Sequence, residues 1–223
     1  MNRQELLQDW YVRYRLIFNK RYTIKQKDRF LKSLSADILP FRKDIKLVTF
    51  KLNEKDKNEY RNLYVGNVKK ADTIFCTYYD TPAVRFSPYH FFDVENSKKS
   101  ITKTILFSSI LYLIVGLLFT LFVAIPIFQA KELGRIWFVL CILFYILYFY
   151  FLNKITRGWP RKNNLIQNTS SILLLLNCIA SFRSERLAFA FVDAGCTNNA
   201  GLEKLMHDSN AKIFMLDSVG SEK

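Results

Sequence analysis

The side chains best suited to chemistry in this sequence stand just after apolar runs that read as strands. Asp80 ends the run Thr73-Ile74-Phe75-Cys76-Thr77-Tyr78-Tyr79-Asp80, Cys196 closes Phe189-Ala190-Phe191-Val192-Asp193-Ala194-Gly195-Cys196, and Asp217 follows Lys212-Ile213-Phe214-Met215-Leu216. Two carboxylates and a thiol could together hold one metal ion, although three scattered residues make no metal-ligand spacing. The four cysteines, Cys76, Cys141, Cys178 and Cys196, form no CxxC pair, so reduced thiols are expected and no disulfide or structural zinc site is signalled. Of the two histidines, His90 lies among aromatics in Ser87-Pro88-Tyr89-His90-Phe91-Phe92 and reads as packed or interfacial. His207 ends a short helix, where it helps neutralise the dipole. Ser170 and Ser171 open a helix and read as caps, since no histidine is placed to activate them as nucleophiles. Asp193 reads as a hydrogen-bonding residue at a strand end.

The elements that must position these residues follow from apolar periodicity. Residues 1–20 carry Leu6, Leu7, Trp10, Tyr11, Tyr14 and Ile17 at helical spacing, an amphipathic helix that could lie on a membrane surface or pack on the domain. Thr23 caps a second helix reaching Leu39, with Phe30, Leu31, Leu34 and Ile38 as its buried stripe and Pro40 as its stop. Strands are expected at Ile45–Leu52, Tyr60–Val68 and Thr73–Tyr79, forming a meander. After the middle of the chain come a helix over Ser170–Ala180, a strand over Leu187–Val192, a helix over Gly201–Asp208 and a strand over Lys212–Leu216. Strands alternating with helices after a meander specify an α/β sandwich whose sheet is partly parallel.

Two apolar stretches interrupt this domain. Ile105–Phe128 has no charged side chain and is long enough for a bilayer core, which takes roughly 20 residues of helix. Ile136–Leu152 is shorter, but Trp137 at one end and Tyr148 and Tyr150 at the other suit the interface. Together they read as a transmembrane hairpin over residues 104–152. Lys98, Lys99 and Lys103 precede it and Lys154, Arg157, Arg161 and Lys162 follow, against Lys131 and Arg135 in the connection, so both termini are expected to be cytoplasmic. No signal-peptide pattern opens the sequence. The expected organisation is therefore an N-terminal helix (1–20), a first half-domain (21–97), the hairpin, and a second half-domain (160–223). The net charge of +14 favours attraction to anionic headgroups. No zinc-finger spacing, helix-turn-helix signature or ribonucleoprotein motif supports a nucleic-acid partner.

In order, the soluble segments resemble the M28 family of zinc aminopeptidases, the bacterial leucyl-aminopeptidase and glutamate-carboxypeptidase-like fold. Four motifs carry the resemblance. A strand pair runs into a His-x-Asp turn in the family; here Tyr78 stands at the zinc-binding histidine and Asp80 keeps the aspartate. Gln167-Asn168-Thr169-Ser170-Ser171 falls where the family has Asp-Asn-Ala-Ser-Gly, so Gln167 replaces the metal-bridging carboxylate. Asp193-Ala194-Gly195-Cys196 matches Asp-Ala-Glu-Glu, which puts Gly195 at the general base and Cys196 at a zinc ligand, and Gly201 fits the glycine that follows. Leu216-Asp217-Ser218-Val219-Gly220 fits Leu-Asp-x-x-Gly, keeping Asp217 as one ligand.

The resemblance implies an M28-like α/β fold, a partly parallel mixed sheet with flanking helices, broken by the transmembrane hairpin and lacking the family's later strands, which leaves either an open edge that a partner would cover or an incomplete gene product. It also implies loss of catalysis. A two-zinc hydrolase needs several ionised ligands and a carboxylate base, whereas glutamine is neutral, glycine has no side chain, and a phenol of pKa about 10 is a poor ligand. No cofactor is expected; zinc is expected only if the chain is an aminopeptidase whose missing ligands come from elsewhere. The hairpin falls between Asp80 and Gln167, both expected at carboxyl ends of strands, where open α/β sheets bind ligands. A candidate cleft of Tyr78, Tyr79, Asp80, Gln167, Asn168, Cys196 and Asp217 would then face the membrane and hold a peptide or a partner's juxtamembrane helix. A small subunit of a peptide-export or transporter complex is the remaining class, and the absence of ionisable residues within the spans argues against an ion path.

Overall fold

The computed structural model describes residues 2–54, 56, 58–84, 94–130, 135–161 and 165–220. The chain divides into two compact units, Met1–Pro82 with Pro160–Lys223, and Ala83–Trp159.

In the first unit, α1 (Arg3–Val12) runs into a π-helical turn (Arg13–Ile17), and α2 (Ile24–Ile38) begins at a capping box in which the Thr23 hydroxyl accepts from the Gln26 amide while the Gln26 side chain reaches back to Thr23. The expected stripe of Phe30, Leu31, Leu34 and Ile38 is buried. Five strands follow: β1 (Ile45–Phe50), β2 (Tyr60–Val65), β3 (Thr73–Tyr78), β4 (Leu187–Val192) and β5 (Lys212–Met215), with α6 (Ser170–Ser181) before β4 and α7 (Ala200–Asp208) between β4 and β5. The helices between β3 and α6 in the chain, numbered α3 to α5 below, belong to the other unit.

The sheet is mixed, in the order β1-β2-β4-β3-β5. β1 and β2 are antiparallel, with Ile45 opposite Val65, and β2 is antiparallel to β4, with Leu63 opposite Phe191. β3 runs parallel to both β4 and β5. The expected meander is therefore corrected, because β4 separates β2 from β3. The reason lies in β4 itself: Leu187-Ala188-Phe189-Ala190-Phe191-Val192 is apolar on both faces and buried almost throughout, so it takes the centre, where both of its edges are paired.

Alternation along the strands builds two cores. Leu63, Val65, Phe189, Phe191 and the partly buried Phe75 face α1, α2 and α6, where Trp10, Tyr14, Phe30, Leu34, Ile172 and Leu176 pack. Tyr64, Ile74, Cys76, Ala188, Ala190 and Val192 face the other way, toward Leu205 of α7. The alanines let α7 come close, and Gly201 lets it come closer. A Cβ there would fall 2.4 Å from both the amide nitrogen and the carbonyl oxygen of Asp193.

Two expectations about the helices change. Ser170 and Ser171 are not caps, because a π-helical turn (Leu165–Thr169) already leads into α6 and leaves Ser171 buried in its first turn. Gln167 lies on that turn, not at a strand end.

The second unit holds α3 (Val94–Phe119), a π-helical turn (Thr120–Ala124), α4 (Ile125–Gln129) and α5 (Arg135–Arg157). Two of its helical stretches, Lys99–Gln129 and Ile136–Arg157, are long and apolar enough to cross a membrane. They are joined by aromatic contacts, with Phe119 and Phe144 centroids 3.7 Å apart and Tyr112 stacked on Tyr148 at 4.7 Å. The Thr120 and Tyr145 hydroxyls lie 2.7 Å apart, and the Tyr148 hydroxyl donates to the Tyr112 carbonyl at 3.1 Å. Tyr148 packs over Gly116, where a Cβ would meet its hydroxyl at 2.3 Å. Leu117, Phe122, Val139, Ile146 and Phe149 point outward.

Candidate functional site

Because β3, β4 and β5 are parallel, their carboxyl ends share one edge of the sheet, and the chemistry-bearing residues collect there. Asp80 follows β3, Asp193 to Cys196 follow β4, and Asp217 follows β5. Such an edge is where open α/β sheets place ligands.

The loop after β4 is wound tightly. Ala194 adopts a left-handed backbone (φ 60°), strain of about 1–3 kcal/mol for a non-glycine residue, and its carbonyl gathers the amides of Thr197, Asn198 and Asn199. This turn aims the Cys196 amide at Asp80, donating to its carboxylate oxygens at 3.1 and 3.3 Å, while the Cys196 thiol donates to the Asp80 carbonyl at 3.3 Å. Asp80 is 2% exposed. Burial pushes its carboxyl up to about 6, against the pull of Lys27, with Asp193 adding to the rise. Burial also pushes the Cys196 thiol well above its usual value, so the sulfur stays protonated at neutral pH.

Lys27 reaches this edge from α2. Its ammonium lies 2.5 Å from Asp193 Oδ1, with little of either side chain exposed. Burial pulls the Lys27 pKa down, but Asp80 and Asp193 together outweigh it and hold the pKa above the ordinary value. Asp193 also accepts from the Ala194 amide at 2.7 Å and the Arg61 amide at 3.3 Å. Its own amide donates to Asn62 Oδ1 at 3.0 Å, and Asn62 Nδ2 donates to the Gly201 carbonyl at 2.8 Å. Asp193 is therefore a member of the buried charge cluster, more than the strand-end hydrogen bond expected of it.

A second cation is buried outright. Arg21 donates to the Tyr79 carbonyl at 2.6 Å, the Phe18 carbonyl at 2.7 Å, Asn168 Oδ1 at 2.6 Å and the Thr169 hydroxyl at 3.0 Å, and its guanidinium lies 5.0 Å from the Phe30 ring centroid. Burial lowers its pKa to about 10, with Cys196 and Asp80 opposing, so it remains charged at neutral pH. Asn168 in turn donates to the Asp80 carbonyl.

Tyr78 closes the edge from β3. Its hydroxyl donates to Asp217 Oδ1 at 2.8 Å, and the Ser218 hydroxyl donates to the same oxygen at 3.0 Å. Burial raises the Asp217 pKa, and these two hydrogen bonds lower it. Tyr78 also occupies the room a side chain at position 195 would need: a Cβ on Gly195 would stand 2.3 Å from Tyr78 Cβ and 2.4 Å from its Cγ.

Among the candidate residues, the structure gathers Asp80, Gly195 and Cys196 into direct contact and brings Tyr78 to Asp217. Tyr79 is buried against Phe30 on the helical face, with ring centroids 5.5 Å apart, and donates to the Arg61 carbonyl at 2.9 Å. Asn168 is buried under Arg21. Gln167 lies on the adjoining turn, its side chain outside the described residues, as is His90. His207 is exposed in the last turn of α7. Sequence reasoning missed Arg21, Lys27 and Asn62. Lys27 had a signal, since positions 27, 31, 34 and 38 continue the apolar stripe of α2, and a lysine in that phase faces the domain.

Zinc, the cofactor of the aminopeptidase alternative, is a poor fit to this donor set. Among the described residues no three His, Cys, Asp or Glu side chains group as a metal site. The Asp80 carboxylate is held by a backbone amide, the Cys196 thiol donates to the Asp80 carbonyl, and one Asp217 oxygen takes two hydroxyls.

No protein-family model and no curated protein matches the sequence. Solved structures do match. The glutaminyl cyclase of Porphyromonas gingivalis aligns at TM-score 0.52 and 11% identity, covering 98% of this chain and 62% of that one. The glutaminyl cyclase of Bacteroides thetaiotaomicron bound to N-acetylhistamine aligns at TM-score 0.50 and 13% identity, covering 100% of this chain and 63% of that one. The chain thus spans about three fifths of the length of these two enzymes. The Fimbriiglobus ruber glutaminyl cyclase aligns more loosely, at TM-score 0.41 and 12% identity over 86% of this chain and 44% of that one. The first two of these neighbours overturn the M28 aminopeptidase assignment. The glutaminyl-cyclase fold is related to that of M28 peptidases, so turns after equivalent strands produce the short motif matches without an aminopeptidase's site. What the chain has is a mixed α/β fold similar to that of glutaminyl cyclases.

Proposed function

We propose that this chain is a catalytically inert domain of glutaminyl-cyclase-like fold, held at the cytoplasmic face of a membrane by the two apolar helices and acting by binding a peptide or a partner membrane protein. The observation that carries the reading is the closure of the sheet edge by the chain's own side chains. Tyr78 occupies the room above Gly195 and bonds Asp217, and the Cys196 amide caps Asp80. A hydrolytic or cyclising site needs an accessible base and room for a substrate beside it. The base most nearly present, Asp80, titrates in a useful range but is buried with its carboxylate already hydrogen-bonded. Among the described residues, a partner therefore meets the surface of the domain and not a pocket at this edge.

The outward apolar faces of the hairpin and the basic residues beside it support anchoring in an anionic bilayer with both termini cytoplasmic. Purification of the full chain in mild detergent tests the reading, with bound metal and co-purifying chains both measured. The expected result is metal far below one ion per chain together with a stoichiometric protein or peptide partner. About two zinc ions per chain and amino-terminal processing of a test peptide would replace it with an enzyme.

A further inference from the structure

The N-terminal helix buries Trp10 and Tyr14 in the domain yet leaves another face bare. Val12 and Leu16, one turn apart, and the adjacent Ile17 are 46%, 63% and 70% exposed, and Ile24, opening α2, is 58% exposed. Arg15 and Lys25 are exposed among them and Lys20 is partly so. Large aliphatic side chains interspersed with cations, with no carboxylate between Arg13 and Lys27, match the chemistry of an anionic lipid surface: acyl boundary for the one and headgroup phosphates for the other.

The position of this patch within its unit selects the bilayer over a protein partner. The Arg21 amide donates to the Thr81 hydroxyl at 2.9 Å, and the Thr81 amide donates to the Arg21 carbonyl at 3.1 Å. One residue later, at Pro82, the chain leaves the unit, and the Arg161 amide donates to the Pro82 carbonyl where it returns. The segment joining Ile17 to Ile24 is therefore pinned beside the doorway through which both connections to the hairpin pass. Pro160 follows Arg157, the last residue of α5, by three positions, a reach of at most about 10 Å. If α5 crosses a bilayer, the doorway lies at its surface.

We infer that Val12, Leu16, Ile17 and Ile24, with Arg15, Lys20 and Lys25, form a second membrane contact that seats the domain on anionic lipid. The inference rests on the hairpin's spanning the bilayer, and its test separates the two. The full chain is reconstituted into nanodiscs of phosphatidylcholine with or without phosphatidylglycerol, carrying the photocrosslinker p-benzoyl-phenylalanine at Leu16, Ile17, Leu117 or Lys46. Leu117 reports the hairpin, and Lys46, exposed on β1, is the negative control.

Lipid adducts are expected at positions 16, 17 and 117 and not at 46. At 16 and 17 they should be several-fold more abundant with phosphatidylglycerol, and should fall about five-fold for each of Arg15→Gln, Lys20→Gln and Lys25→Gln. Lipid capture at 117 with none at 16 and 17, or capture there of protein only, overturns the inference and leaves the spanning hairpin standing. Equal capture at 16 and 17 in the two lipids overturns the anionic preference. No lipid adduct at 117 removes the hairpin reading and the inference with it.

Discussion

Removing the Lys27 ammonium should convert two neutralised carboxylates into a buried like-charge pair, with a cost that depends on pH. In the wild type Lys27 ion-pairs with Asp193 and draws the Asp80 pKa down from where burial alone would put it. Lys27→Met keeps most of the stem and deletes the charge. Losing one member of a buried ion pair costs about 3–5 kcal/mol. Asp80 sets the pH dependence. Its folded pKa, about 6, exceeds the 3.8 of an unperturbed aspartate, so the folded state binds the extra proton between those values. Stability from this group is full below about 4, is lost as pH rises through 6, and totals about 3 kcal/mol over that window.

In Lys27→Met the Asp80 pKa rises further, which carries the loss to higher pH. At pH 5 Asp80 is largely protonated in either protein, and the variant loses only the partner of Asp193; at pH 8 the variant must also ionise Asp80 without its cation. The destabilisation should therefore be about 3–5 kcal/mol at pH 8 and about half that at pH 5. Urea unfolding of the full chain in detergent, followed by near-ultraviolet circular dichroism at the two pH values, measures it. Adding Asp193→Asn should restore part of the loss at both. A loss below about 1 kcal/mol, or one equal at pH 5 and 8, would refute the charge cluster as described.

Further consequences concern packing and reactivity. Gly195→Ala should cost about 1–3 kcal/mol because Tyr78 must shift, and the same change in a Tyr78→Gly background, which removes the Cβ as well as the ring, should cost much less, as a double-mutant cycle in thermal unfolding would show. Gly201→Ala meets the Asp193 backbone as well as Asn62 Oδ1, so it should cost more than Gly195→Ala and loosen α7, read as faster hydrogen exchange over residues 200–208. Arg21→Met leaves the Tyr79 and Phe18 carbonyls and Asn168 without their donor and should cost about 3–5 kcal/mol by the same unfolding measurement. Cys196, with its pKa raised by burial, should alkylate with iodoacetamide at pH 8 many-fold more slowly than a free thiol, and urea should abolish the difference.

The strands and helices were legible because each carries a one-dimensional signal: the Thr23 capping box, the stripe through Ile38, the alternation of Ile45 to Phe50, the unbroken apolar run of β4. Strand order was not, since pairing depends on which strand is buried on both faces and joined at both edges, and the sequence-adjacent meander competed with the central placement of β4. The clustering of Asp80, Cys196 and Asp217 on one edge followed from their positions after parallel strands. Arg21, Lys27 and Asn62 come to that edge from a loop, a helix and an antiparallel strand. Charges so distant in sequence meet only through tertiary packing, and only Lys27 announced itself, by standing in phase with the apolar stripe of α2. The family assignment failed for a related reason: short turns after equivalent strands reproduce motifs wherever the fold is shared, so matches of two or three residues report topology before chemistry.

The claim that the sheet edge is closed by its own side chains is tested most directly by turnover. The full chain in detergent, supplied with excess zinc, is offered a peptide with N-terminal glutamine, and ring closure is followed by mass. No rate above the uncatalysed reaction is expected, for the wild type and for Asp80→Asn alike. Cyclisation by the wild type that Asp80→Asn abolishes would contradict it.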